Sequence, residues 1–333
     1  MRAIVYSSAG GPEVLRLVDK QQREPGPGEI RVRIAVSGVN PTDWKSRNGT
    51  DPTHDQVPDQ DGAGTVDAVG PGVDLAPGDR VWLWESAYQR PEGTAQELAV
   101  VRADRAVLLP GNASFDLGAA LGVPAMTAHL ALRAADRTAL PLAPGELAGR
   151  TVLVAGGAGA VGHAAIELAV WAGARVITTV SSSAKRALAA AAGAHDIVDY
   201  RAEDATAAIR ALAPDGVDLI AEVNPNANAA LDAEVLAPHG TIAVYATDDP
   251  APLSFAVRPF MSKNVHWRFL LLYTAPEDEK AARVEGVSAA VAAGVLRVGE
   301  EAGLPITRFP LERTADAHEA VANGAVGKVL IDV

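Results

Sequence analysis

The run Thr151–Gly173, TVLVAGGAGAVGHAAIELAVWAG, constrains the fold of this chain more than any other stretch. An apolar segment meets a cluster of glycines, and an amphipathic helix pattern follows, so the run reads as strand, phosphate loop and helix. Gly157, Gly159 and Gly162 fit G-x-G-x-x-G. In that motif one glycine makes the tight turn, one lets the backbone approach a pyrophosphate, and one allows close helix–strand packing. A helix opening at Ala160 would aim its free N–H groups and positive dipole end at an anion. The candidate phosphate loop is therefore Gly157, Ala158, Gly159, Ala160, Val161 and Gly162. The spacing alone is a weak signal in a chain with 31 glycines. Its context strengthens it.

That context is a regular alternation. Strand-like runs at Arg175–Val180, His195–Tyr200, Val217–Val223 and Thr241–Ala246 are separated by helix patterns at Lys185–Ala192, Ala202–Ala213 and Asn226–Leu236. Strand–helix alternation of this length implies a parallel sheet with right-handed crossovers, the doubly wound α/β fold that binds dinucleotides.

The 333 residues exceed one such unit, and a prior of ~150 residues per domain suggests two domains. A net charge of −12 argues against nucleic acid and anionic membranes as partners, because both reward clustered Lys and Arg. No run approaches the ~20 apolar residues of a membrane span, and MRAIVYSSAGG lacks a signal-peptide layout. The expectation is a cytoplasmic protein. With no cysteines, disulfides, thiolate catalysis and Cys-based zinc sites are excluded together.

The first ~125 residues differ in texture, with short alternating segments (Glu29–Val39, Gly62–Gly70, Asp79–Trp84) between Pro/Gly turns, as in an irregular, mostly antiparallel β domain. After Ala246 come short strands, one long helix pattern at Glu277–Ala293 and a buried-strand pattern at Gly327–Val333. The reading is residues 1–125 as the first part of a β domain, 126–264 as the nucleotide-binding domain inserted in it, and 265–333 as the return. Ligand is expected in a cleft between the two.

Several segments together resemble the medium-chain dehydrogenase/reductase superfamily, and within it the zinc-free quinone oxidoreductase, or zeta-crystallin-like, branch. They are GGPEVL (Gly10–Leu15), GVNPTDWKSRNG (Gly38–Gly49), PGDRV (Pro77–Val81), GTAQELAV (Gly93–Val100), GVPAMTAHLAL (Gly122–Leu132), the phosphate loop, GAHDIVDY (Gly193–Tyr200) and the closing GKVLI. The resemblance runs nearly end to end. It implies a Rossmann doubly wound sheet inserted in a GroES-like irregular β-barrel domain, an NADPH-dependent reductase, and a homodimer formed through the edges of the two Rossmann sheets.

The superfamily also contains zinc enzymes, so the metal must be argued from residues. A catalytic zinc needs three Cys, His or carboxylate ligands. Where the zinc branch carries its first ligand this chain has Val39-Asn40-Pro41-Thr42-Asp43, and its seven histidines are scattered. No metal site is expected. Without a Lewis acid the substrate must accept hydride readily, as quinones and α,β-unsaturated carbonyls do.

NAD-selective folds place an acid at the end of the second strand to hold the ribose 2′-hydroxyl. Here Val180 is followed by Ser181-Ser182-Ser183-Ala184-Lys185-Arg186, hydroxyls and cations that suit a 2′-phosphate. A Ser-rich start equally suits an N-capped surface helix. By resemblance, Ser181 and Lys185 are the phosphate contacts, and Asn40 and Thr127 stand beside the nicotinamide. Tyr200 and Asn228 fall near the adenosine and the bridge. Tyr245-Ala246-Thr247 and Phe269-Leu270-Leu271 correspond to strand ends lining the nicotinamide, and Lys328 to a lysine near the tail. Two departures bear on the substrate: Lys45, preceded by Trp44, stands where the family often has Tyr, and Tyr245 replaces a small aliphatic residue.

The expected reaction is hydride transfer to a quinone, with Asn40 donating to the substrate carbonyl and Lys45 stabilising an oxyanion. Asp43, Trp44, Trp84, Tyr88 and Tyr245 are the expected pocket residues, although Trp84 and Tyr88 equally suit rim or core. An enone, alkenal or polyketide-type enoyl reductase is the alternative enzyme. A non-catalytic NADPH-binding structural or regulatory protein is the alternative of another class.

Overall fold

The computed structural model describes residues 1–136, 139–247 and 251–333. They divide into two compact units, one of residues 1–123 with 305–333 and one of residues 124–304. The first unit opens with β1 (Arg2–Val5), β2 (Arg16–Asp19), β3 (Glu29–Val39), α1 (Pro41–Gly49) and β4 (Asp61–Val69). It continues with β5 (Arg80–Leu83), β6 (Leu98–Arg102), β7 (Ala106–Leu108) and α2 (Phe115–Gly118). The second unit begins with α3 (Met126–Leu132), β8 (Thr151–Val154), α4 (Ala160–Trp171), β9 (Arg175–Val180), α5 (Ser183–Ala191) and β10 (Asp196–Asp199). Next come α6 (Ala205–Leu212), β11 (Val217–Glu222), α7 (Pro225–Val235) and β12 (Leu236–Val244). It closes with α8 (Val257–Met261), β13 (His266–Phe269) and α9 (Glu277–Ala292). Finally β14 (Ile306–Pro310), α10 (Thr314–Ala322) and β15 (Lys328–Asp332) return to the first unit.

In the first unit the strands run β14-β15-β3-β4-β5-β7, with β6 also on β3. The alternation of EIRVRIAVSGV decides which face of β3 is buried. Ile30, Val32 and Ile34 join Val66, Val81, Leu83 and Val101 in one core, while Arg31 and Arg33 on the other face pair with Asp67 at 2.6 and 2.9 Å. β15 pairs antiparallel with β3, so the C-terminal tail completes this sheet.

The second unit is a six-stranded parallel sheet in the order β10-β9-β8-β11-β12-β13. Its strands are apolar on both faces because helices cover both, and Leu153, Ile177, Val198, Ile220 and Ile242 share one core. α4, AVGHAAIELAVW, is apolar nearly all round and packs on β8, β9 and α3. Side-chain caps set two helix starts: Ser182 Oγ accepts from Lys185 N at 3.3 Å for α5, and Asp204 Oδ1 from Ala207 N at 3.1 Å for α6.

The division differs from the expected return at residue 265. Residues 265–304 belong to the second unit, because β13 extends its sheet beside β12 and α9 packs on α3. Arg297 adds a bond from Nε to Glu167 of α4 at 2.8 Å. Only the last 29 or so residues rejoin the β unit, beginning at Pro305.

The phosphate-loop glycines are reassigned too. The left-handed turn falls on Gly156, at φ +70°, rather than on Gly157. Gly162 makes the close approach, since a Cβ there would stand 2.4 Å from the Gly156 carbonyl oxygen and 3.0 Å from the Gly157 Cα. Both neighbours are backbone and cannot rotate away. Gly162→Ala should therefore destabilise the protein by about 1–3 kcal/mol, as overpacking does. Urea unfolding measures it, and a wild-type midpoint would show that the loop yields.

Candidate active site

Five parallel strands of the second unit end on one edge, and most of the predicted cofactor residues follow from that. β8 runs into Gly156 and Gly157, β9 into Ser181, β11 ends at Glu222, β12 leads to Tyr245 and β13 to Leu270. Backbone bonds carry the alignment past the strand ends: Ala155 N to Ala221 O at 3.0 Å, Gly157 N to Thr179 O at 3.1 Å, Tyr245 N to Glu222 O at 3.1 Å and Leu270 N to Val244 O at 2.8 Å. The chain reverses direction across the sheet between β8 and β11, which makes the crevice outside their carboxyl ends the ligand position of a doubly wound fold.

The loop at this edge leaves room for an anion. Gly159 is the N-cap of α4, and a Cβ there would meet only the Gly156 oxygen, at 3.6 Å. Its exposed backbone therefore faces open space, with Ala160 and Val161 half-buried behind it and Ala158 buried. The N–H groups of the first turn of α4 lack intrahelical partners and carry its positive dipole end.

At the end of β9, Lys185 Nζ donates to Ser181 Oγ at 3.1 Å, and no carboxylate pairs with Lys185 among the described residues. Arg186 is committed elsewhere, to the Ile197 carbonyl and to Glu203 at 3.3 Å. Tyr200 follows β10, about half exposed, with its N–H on the Val180 carbonyl.

Glu222 has no exposed surface. It accepts from Asn224 N and from Asn228 Nδ2 at 3.0 and 3.2 Å, so the Asn228 amide serves this carboxylate. Burial raises Glu222, and raises the neighbouring Asp232 of α7 well above the usual range, with Glu222 adding to it. Burial, with Glu222, also raises the Tyr245 hydroxyl. Thr127 is buried in the first turn of α3, and Thr247, past Ala246, bonds Asn226 at 3.5 Å. Phe269 and Leu271 are largely exposed, and the Phe269 ring lies on Trp267 at 5.9 Å. Exposure leaves them open to a partner, and the stack gives Phe269 a neighbour other than the expected nicotinamide.

The first unit gathers a different set. Asn40, N-cap of α1, is 3% exposed. Its Nδ2 donates to Asp61 Oδ2 at 2.8 Å and the Gly38 carbonyl at 3.3 Å, and its Oδ1 accepts from Lys328 Nζ at 2.7 Å. Both amide protons are thus engaged within the protein. Lys328 is likewise buried, 3.7 Å from Asp61. Burial lowers its ammonium, while Asp61, Asp43 and Asp59 hold it up.

Asp43 accepts from Asn40 N at 2.7 Å and Gln60 N at 3.1 Å. It is a buried capping group rather than a pocket wall, and burial, then Asp59 and Asp61, raises it well above the usual range. Trp84 is 2% exposed with the Arg105 guanidinium 4.2 Å from its ring. It is core, not rim. Trp44, Lys45 and Tyr88 are half-buried. Lys45 Nζ lies 5.7 Å from the Trp44 ring, and Trp44 Nε1 has no hydrogen-bond partner among the described residues.

Comparison with known proteins agrees with this arrangement. The profile described as "Alcohol dehydrogenase GroES-like domain" matches residues 26–111, and that described as "Zinc-binding dehydrogenase" matches residues 160–285. A quinone oxidoreductase of Lama guanicoe is 31% identical over 341 residues, 99% of this chain and 97% of the relative. The chain belongs to the medium-chain dehydrogenase/reductase superfamily.

Two solved members show the range of the superfamily. An Escherichia coli quinone oxidoreductase complexed with NADPH has a TM-score of 0.82 at 26% identity, with both chains fully covered. An NAD-dependent alcohol dehydrogenase has a TM-score of 0.84 at 29% identity, also over both whole chains. Overall similarity therefore does not choose the cofactor in this superfamily. Local residues do. No three His, Cys, Asp or Glu side chains come together as a metal site among the described residues.

Sequence reasoning missed the buried acids of this superfamily member: Asp59, Asp61, Glu222 and Asp232. Glu222 had a signal, an acid next to last in the run VDLIAEV, and Asp61 stands directly before GAGTV. Asp59 binds His318 Nε2 at 2.8 Å and Ser37 Oγ at 2.9 Å, partners too distant in sequence to be foreseen.

Burial lifts Asp61 from 3.8 to about 6 against the pull of Lys328. The folded chain thus keeps a proton that the unfolded chain releases as pH rises. The stability from this group is complete below about pH 4 and is lost as pH rises through about 6, a change of roughly 3 kcal/mol. Asp43 shifts in the same direction. Asp61→Asn should flatten the fall in unfolding free energy between pH 4 and pH 7. Urea titrations of both proteins would reveal it, and equal slopes would assign the fall to other groups.

Proposed function

We propose that this chain is an NADPH-dependent, zinc-independent reductase of quinones. The observation that carries the cofactor choice is the Ser181–Lys185 pair at the end of β9, with Lys185 Nζ 3.1 Å from Ser181 Oγ and no acid in the loop. A hydroxyl and an ammonium favour a phosphate on the ribose, whereas an acid there would favour a bare hydroxyl. NADPH, when bound, supplies the hydride. The α4 N-terminus and the open backbone at Gly159 would hold its pyrophosphate. The quinone assignment is supported by the end-to-end relationship to quinone oxidoreductases.

The chain has no cysteine, and no three His, Asp or Glu side chains come together among the described residues, which supports a carbonyl that accepts hydride without a Lewis acid. Quinones do so readily, and enones are the competing class. With the Asn40 amide fully bonded, Lys45 remains the proposed donor to the developing oxyanion. A homodimer is proposed through β13, an edge strand flanked by the exposed Val257, Met261, Phe269 and Leu271. An unpaired edge beside apolar side chains is a template for a second copy of the chain.

Lys185→Ala should lower kcat/KM with NADPH by roughly 1–3 kcal/mol while barely changing it with NADH. Equal losses with both cofactors, or a wild-type preference for NADH, would refute the cofactor assignment. Chelator-dialysed protein should oxidise NADPH with 1,4-quinones faster than with matched enones. Lys45→Met should lower kcat by a few kcal/mol at most with little change in KM for NADPH. Faster enone turnover would move the enzyme to the enone reductases. No turnover with either class would favour a binding protein, and an unaltered kcat would remove Lys45 from the mechanism.

A further inference from the structure

In the second unit, α3, β13, α9 and the loop at Ala139 and Leu140 line an open-mouthed cavity of about 30 Å³, with His129, Arg133, Arg268, Glu279 and Arg283 in its wall. His129 is 1% exposed. Its Nε2 accepts the Leu142 N–H at 2.8 Å, which fixes the ring proton on Nδ1. Nδ1 has no hydrogen-bond partner among the described residues. Burial, then Arg283 and Arg133, pushes the imidazole down to about 3, so the ring stays neutral and Nδ1 stays a donor at physiological pH.

Arg268 reaches the cavity from β13. Its Nη1 donates to the Ala134 carbonyl at 3.1 Å, and no carboxylate pairs with its guanidinium among the described residues. The carboxylate of the lining, Glu279, is bonded to Arg283 at 2.8 Å. Arg133 is held from outside the lining by Glu146 at 2.8 Å and Asp136 at 3.7 Å. Among the described residues the lining therefore offers a buried N–H donor and a guanidinium with no carboxylate partner, and its one carboxylate, Glu279, is engaged by Arg283. A buried donor left unmet costs free energy, and a cation beside it favours a negatively charged partner over a neutral one. The volume suits one or two water-sized species.

We propose that this cavity binds a single inorganic monoanion of halide size, held by His129 Nδ1–H and the Arg268 guanidinium. The bound anion ties α3 to β13 and α9, so it stabilises the nucleotide-binding unit. The proposal is independent of the catalytic reading.

Thermal unfolding of the whole chain in sodium chloride and sodium bromide, against sodium gluconate at equal ionic strength, tests it. The expected result is a saturable rise in Tm with either halide, at roughly millimolar halide or above, and none with gluconate, whose anion is too large. Crystals soaked in bromide should show an anomalous peak within bonding distance of His129 Nδ1. Arg268 is half-buried and should accept Met without unfolding, so Arg268→Met should abolish the saturable shift. Equal Tm in halide and gluconate, a cavity holding only water, or an unchanged halide shift in Arg268→Met would each overturn the proposal.

Discussion

The nucleotide-binding unit depends on one close backbone approach. Gly162, in the first turn of α4, lies against the carbonyl of Gly156, and a single methyl group would fill the space between them. Because α4 can approach the β8 turn this closely, its N-terminus points into the crevice beside β8 and β11. The unpaired N–H groups of that turn gather at one place. The left-handed Gly156 starts the turn and Gly159 leaves its outer side open. Three different steric demands fall on glycines within seven residues, and all serve the placement of one helix end.

The barrel unit also depends on a buried cluster of charges. Lys328 brings the C-terminal strand β15 to Asn40 and Asp61, and Asp59 does the same for α10 through His318. Asp61, Asp43 and Asp59 all act on the Lys328 ammonium, and Asp43 and Asp61 are both raised, chiefly by burial. Removing one partner of such a cluster leaves a buried charge uncompensated, which is why these contacts constrain the fold more than their number suggests. In this cluster Asn40 is a structural bridge between Lys328 and Asp61.

The parallel sheet also treats its edge differently from its centre. Central strands such as β8 and β11 are covered by helices on both faces and end in the glycine turn or a buried acid. β13 instead ends in exposed Phe269 beside the stacked Trp267. The same parallel sheet thus supplies a ligand crevice at its carboxyl edge and an apolar flank at its end strand.

The sequence by itself determined the order and type of the elements from β8 to β12, because strand–helix alternation and glycine spacing are local properties. Glu29–Val39 and Arg175–Val180 are strands at the predicted bounds. The Ser181–Lys185 cluster was legible for the same reason, since strand end and helix cap lie within five residues. Tertiary structure alone decided that Trp84 is core under Arg105, that Gly156 rather than Gly157 makes the turn, and that residues 265–304 stay with the parallel sheet. It also decided the role of Asn40, whose partners Asp61 and Lys328 lie 21 and 288 residues away. Whether an amide is free to donate depends on what the fold brings to its other atoms, and no local pattern encodes partners at that distance.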